Sequence, residues 1–190
     1  MGKSQSKLSS EKIRILAKQS NFTEKEIRRW YRGFRRDCPN GLLTEMGFQK
    51  IYKQFFPQGD PIDFSNFVFK TYDDDQDGAI EFDQFVHGLS ITGRGTLEQK
   101  LAWVFRLYDQ DKDGAITRQE TECLIRHIYK LSGDDSETAD TKMVPNRVAM
   151  IWTKLNKESD AKINSAEFVE NVKTDKAIVN VLSLYEGLGK

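Results

Sequence analysis

A twelve-residue acidic pattern that returns along the chain constrains it more than any other feature. It reads Asp73-Asp-Asp-Gln-Asp-Gly-Ala-Ile-Glu-Phe-Asp-Gln84, and again Asp109-Gln-Asp-Lys-Asp-Gly-Ala-Ile-Thr-Arg-Gln-Glu120. A weaker copy runs from Asn156 to Glu167 and a fainter one from Arg36 to Gly47, so the copies start at 36, 73, 109 and 156. A repeat of this period is one supersecondary unit used several times. Apolar residues at helical spacing flank each copy. Leu97, Leu101, Val104, Phe105 and Tyr108 precede the third, and Val144, Val148, Ile151, Trp152 and Leu155 precede the fourth. After the second, Phe82, Phe85, Val86 and Leu89 continue the pattern. Trp103 and Leu107 lie off their stripe and predict a second apolar edge on that helix. The eighth residue of each copy is Leu43, Ile80, Ile116 or Ile163, a choice that suits a short strand joining neighbouring loops. The expectation is an all-α chain of four helix–loop–helix units, paired 1–2 and 3–4.

The loops supply oxygen at positions 1, 3, 5, 7, 9 and 12, the donor set of an EF-hand for Ca²⁺, a hard cation that takes six to eight oxygens. In the third loop these are Asp109, Asp111, Asp113, the Ala115 carbonyl, Thr117 and Glu120, with Gly114 at the sharp turn. The second loop offers Asp73, Asp75, Asp77, the Ala79 carbonyl, Glu81 and Gln84. A glutamine there gives one oxygen and no charge where glutamate gives two oxygens and a charge, so weaker binding is expected. In the fourth loop Asn156 leads, Ala161 takes the glycine position, and Lys157 and Lys162 oppose Glu158, Asp160 and Glu167. Alanine at that turn predicts backbone strain. The first loop, from Arg36 to Gly47 through Cys38-Pro39, has no anion at either end and reads as structural.

The formal net charge is zero, but residues 1–36 hold eleven Lys/Arg against three Glu. Such a front favours anionic surfaces and leaves an acidic remainder that collects cations. Met1-Gly2-Lys-Ser-Gln-Ser6 fits N-myristoylation at Gly2. One acyl chain binds membranes only marginally, and Lys3, Lys7, Lys12 and Arg14 can add the second signal. The two cysteines, Cys38 and Cys123, form no disulfide framework and read as small buried residues of a reduced, cytosolic protein. With two histidines, His87 and His127, no phosphate-binding glycine loop and no zinc cluster, an enzyme is not expected. Nothing points to nucleic acid.

The aromatic residues exceed what a core of this size hides. Trp30, Phe34, Phe48, Ile51, Tyr52, Phe55, Phe56, Phe85 and Leu89 are candidates for an apolar groove that takes a target helix. Ile178, Leu182 and Tyr185 form a stripe in a C-terminal helical tail that either caps its lobe or occupies the groove. The expected domains are a basic acylated segment (1–20), a first pair of hands (21–92), a second pair (96–175) and the tail (176–190). Gly93-Arg-Gly95 marks the boundary, and the polar stretch from Ser132 to Thr141 reads as a loop.

Four segments resemble the neuronal calcium sensor family, and within it the frequenin branch. They are Asp37-Cys-Pro-Asn-Gly41, Ile51-Tyr-Lys-Gln-Phe-Phe-Pro57, Ser90-Ile-Thr-Gly-Arg-Gly95 and Leu182-Ser-Leu-Tyr-Glu-Gly-Leu188. The resemblance covers essentially the whole chain. It implies a myristoylated Ca²⁺ sensor, cytoplasmic and peripheral on plasma and Golgi membranes, that exposes a groove to target helices. Implied partners are phosphatidylinositol 4-kinase, receptor-associated proteins and a guanine exchange factor for G-protein α subunits. The chain departs from the family pattern at Gln84, Asn156, Ala161 and Thr121, the last replacing an apolar residue. A calcium buffer and a lipidated phosphatase subunit of the calcineurin B type are the alternatives.

Overall fold

The computed structural model describes residues 8–131, 133, 142–158 and 160–172. Gly2, most of the stretch from Ser132 to Thr141 and the stripe of Ile178, Leu182 and Tyr185 lie outside them. The described chain is all-α. A leading helix α1 (Ser10–Gln19) precedes four helix–loop–helix units: α2 (Glu24–Asp37) with α3 (Glu45–Phe55), α4 (Ile62–Tyr72) with α5 (Phe82–Arg94), α6 (Leu97–Tyr108) with α7 (Arg118–Leu131), and α8 (Val144–Lys154) with α9 (Ser165–Val172). The start signals are local. Thr23 and Thr96 each close a capping box with the residue three places on, Glu26 and Gln99.

Each loop contains a short strand: β1 (Leu42–Thr44), β2 (Ala79–Glu81), β3 (Ala115–Ile116) and β4 (Ile163–Asn164). They pair antiparallel as β1–β2 and β3–β4, with Leu43 opposite Ile80 and Ile116 opposite Ile163. The four position-8 side chains are buried at these crossings. The predicted pairing of hands follows from them.

Two expectations change. Helix α5 runs through Gly93 to Arg94, and only Gly95 and Thr96 separate it from α6. The apolar edge of Trp103 and Leu107 is no free surface, since both side chains are only 2% exposed. Trp103 meets Tyr72 of α4 edge-on, at 6.2 Å between ring centroids. Periodicity marks α6 as apolar beyond one stripe, and α4 of the other pair covers the excess. Further ties between the pairs are the Asp60 N–H donating to the Lys130 carbonyl at 3.0 Å and His127 Nε2 lying 3.4 Å from Asp63.

Candidate calcium sites and an apolar concavity

The loop of the third hand starts where α6 stops, because Asp109 is the helix C-cap and its N–H still reaches the Phe105 carbonyl at 2.9 Å. Lys112 and Gly114 take positive φ (60° and 87°), which folds the chain back and brings carboxylate oxygens of Asp109, Asp111 and Asp113 within 4.8 Å of one another. Asp109 is 8% exposed. Its Oδ2 accepts the Gly114 N–H at 3.1 Å, while its buried Oδ1 has no hydrogen-bond partner. Burial is the main cause that pushes the Asp109 carboxyl up, and the neighbouring Glu120, Asp113 and Asp111 add to it. A buried carboxylate oxygen without a partner, ringed by like charges, is costly unless a cation compensates it. An all-oxygen set of this charge fits Ca²⁺. Glu120 closes the loop: its Oε1 accepts the Gln110 N–H at 2.9 Å, and its Oε2 accepts the Thr117 N–H at 2.8 Å and hydroxyl at 2.6 Å. Thr121, which departs from the apolar residue of the family pattern, is buried with its hydroxyl donating to the Thr117 carbonyl at 3.0 Å.

The second loop repeats the backbone, with positive φ at Gln76 and Gly78 (58° and 83°), and gathers Asp73, Asp75 and Asp77. Its closing residue behaves differently. Gln84 Oε1 accepts the Glu81 N–H at 2.8 Å, and its Nε2 donates to Asp75 Oδ1 at 2.9 Å. That donation is the first cause holding the Asp75 carboxyl below its usual range. The amide thus occupies an acidic group as well as failing to add one.

In the fourth loop the strain expected at Ala161 is not there. Among its described residues, positive φ appears at Asn156 instead (52°), at position 1 rather than position 6. Lys157 Nζ lies 2.6 Å from Glu167 Oε1 and is the first cause lowering the Glu167 pKa. Lys162 turns away from its own loop and bonds to Asp113 Oδ2 in the third, lowering the Asp113 pKa and raising its own. In the first loop Arg36 pairs with Asp37 at 2.9 Å, and Gly41 (φ 86°) makes the turn. A side chain at Gly47, the position-12 residue, would press on Leu43 at 3.0 Å.

A family model described as an EF-hand domain pair matches residues 98–173. Neuronal calcium sensor 1 of Lymnaea stagnalis is 46% identical over 185 residues, and that of Aplysia californica 47%, each match covering 97% of both chains. This chain is a neuronal calcium sensor. As a member of that family it binds Ca²⁺ through EF-hands and serves as a sensor rather than an enzyme.

In this neuronal calcium sensor eight of the nine groove candidates line one concavity of about 300 Å³: Trp30, Phe34, Phe48, Ile51, Tyr52, Phe55, Phe85 and Leu89. Phe56 does not line it and stacks on Tyr52 instead. Phe34, Phe48, Tyr52 and Leu89 are buried floor, Trp30, Ile51 and Phe85 are half-buried, and Phe55 is 52% exposed. The expectation of two buried cysteines holds for Cys38 only. Cys123 is exposed on α7, with its sulfur 3.9 Å from His127 Nδ1. Arg106 belongs to no motif, yet it donates to the Thr71 carbonyl at 3.0 Å and pairs with Asp74, tying α6 to the second loop. Its only sequence signal is a basic residue within the apolar run Leu101–Tyr108. No helix among the described residues is long and apolar enough to cross a membrane.

Proposed function

We propose that this sensor regulates membrane-associated target proteins by taking an amphipathic target helix into the concavity of the first pair of hands when Ca²⁺ is bound. Ca²⁺ is held at the third hand by Asp109, Asp111, Asp113, the Ala115 carbonyl, Thr117 and Glu120. It is held more weakly at the second by Asp73, Asp75, Asp77, the Ala79 carbonyl, Glu81 and Gln84. The bound ion supplies the charge that draws the position-12 side chains inward, and in sensor hands this opens the helix pair and bares apolar surface. The observation that carries the reading is Phe55, half exposed on the rim of an apolar concavity whose floor is already packed. Large exposed aromatics beside an apolar hollow mark interaction sites.

Phe34 is buried, so Phe34→Ala would unfold before it informs. Trp30→Ala and Phe55→Ala are the cleaner variants. Calorimetry with an amphipathic helical peptide should show each weakening Ca²⁺-dependent peptide binding about tenfold, the size of an aromatic anchor. Ca²⁺ affinity without peptide should stay as in the wild type. Peptide affinity equal to wild type in both variants removes the concavity from the mechanism.

At the membrane the proposal is a myristoyl chain on Gly2 assisted by Lys3, Lys7, Lys12 and Arg14. Gly2→Ala, coexpressed with a myristoyltransferase, should fail to sediment with anionic vesicles while binding Ca²⁺ normally. Undiminished sedimentation would exclude the acyl anchor.

A further inference from the structure

The two pairs of hands are built on the same plan, and among their differences is a charged contact from one loop to the next. Position 7 of the hand that faces an ion loop is Leu42 in the first pair and Lys162 in the second. Leu42 brings no charge to the second loop. Lys162 directly precedes Ile163, which strand pairing fixes opposite Ile116, so its ammonium is delivered to the third loop from an anchored backbone. There it bonds to Asp113 Oδ2, while Asp113 Oδ1 accepts the Ala115 N–H at 2.9 Å. Both oxygens of the position-5 carboxylate are therefore engaged. In its own loop the position-12 carboxylate, Glu167, is already paired with Lys157 at 2.6 Å.

We propose that Lys162 is an internal competing cation, through which the fourth hand sets the calcium affinity of the third. The inference rests on the reading of Asp109–Glu120 as an ion site. An ion entering that loop must displace or repel an ammonium that already serves one of its ligands. The contact is partly exposed, with side-chain exposures of 52% and 36%, so solvent screens it and the effect is moderate. The fourth hand then has a task that needs no ion of its own. It lowers the affinity of its neighbour and stabilises the loop when Ca²⁺ is scarce.

Four versions of the full-length chain test this by Ca²⁺ calorimetry: wild type, Lys162→Met, Lys162→Arg and Lys112→Met. Lys162→Met keeps the aliphatic stem and should tighten the third hand about two- to fivefold, in line with an exposed ion pair. Lys162→Arg should stay near wild type. Lys112, in the same loop at a position that supplies no ligand, controls for the loss of one positive charge, and Lys112→Met should tighten binding less. A second readout separates competition from simple structural loss. Lys162→Met should melt at a lower temperature than wild type in chelator and show a larger stabilisation on adding Ca²⁺. The inference falls if Lys162→Met binds Ca²⁺ like wild type, or if Lys112→Met tightens binding equally. Glu120→Gln keeps the underlying reading separate. If it retains the strong site, the third hand itself was misassigned; if it loses that site while Lys162→Met changes nothing, only the role of Lys162 is overturned.

Discussion

Gln84 shows how much a single amide changes an ion loop. By motif alone it is one lost oxygen and one lost charge. The geometry adds a donor, because Nε2 holds Asp75 while Oε1 is taken by the Glu81 N–H. Gln84→Glu removes that donor and places a carboxylate beside Asp75. The loop without an ion becomes less stable through like-charge repulsion, and the loop with an ion gains a bidentate ligand. Both changes favour binding. Tightening of the second hand by about tenfold or more is expected, equivalent to about 1.4 kcal/mol, measured by calorimetry on a Glu120→Gln background that silences the third hand. An unchanged affinity would mean that Glu81 already completes the coordination.

At the scale of the element, the capping box of α2 is also a joint. Glu26 accepts the Thr23 N–H and hydroxyl, both at 2.8 Å, and pairs with Arg94 at the end of α5. Arg94 in turn donates to the Asn21 carbonyl at 2.9 Å and lies over the Phe22 ring. The Arg94 bond first, and the Thr23 bonds after it, lower the Glu26 pKa to about 2. A carboxyl with a depressed folded-state pKa adds stability that is fully present above its unfolded value, about 4.3, and is lost as pH falls towards the folded value. Glu26→Gln should therefore be less stable than wild type at neutral pH, and the gap should narrow as pH drops below about 4. Urea midpoints in chelator across that range check it; a gap independent of pH would mean the charge is irrelevant. Much of this is legible in the sequence and some is not. The acidic loops and their position-8 residues are set by neighbours within a dozen positions, so spacing alone finds them. Arg94 on Glu26, Lys162 on Asp113 and Trp103 on Tyr72 join residues remote in the chain. Periodicity says that a face is apolar or charged, but not what covers it. The fourth loop departs from expectation for a related reason. Strain at Ala161 follows only if the loop backbone is fixed, and the chain places its positive φ at Asn156 instead.

For the whole molecule, the contact that matters most joins the two pairs of hands through Tyr72 and Trp103. Tyr72 is the last residue of α4, directly before Asp73, and Trp103 sits in the helix that ends just before Asp109, so the two loops that each gather three aspartates both hang from helices that meet there. The Tyr72 phenol is buried, which pushes its pKa up to about 12, and its ring is held from behind by α5 at Gly88. Gly88→Ala tests the rigidity of this wedge, because two effects of opposite sign compete. Inside an exposed helix the change would stabilise by about 1 kcal/mol through propensity. Here the added Cβ would lie 2.1 Å from Tyr72 Cε1, so the ring must move against Trp103 in a packed core, and overpacking costs about 1–3 kcal/mol. The steric cost outweighs the gain in propensity, and Gly88→Ala should lower stability by up to about 2 kcal/mol in urea unfolding followed by tryptophan fluorescence. Because the displaced ring belongs to the helix leading into one loop and presses on the helix leading into the other, both Ca²⁺ affinities should shift together in calorimetry. A more stable variant would mean that Tyr72 yields freely, and a shift confined to the second hand would mean that the wedge does not couple the pairs.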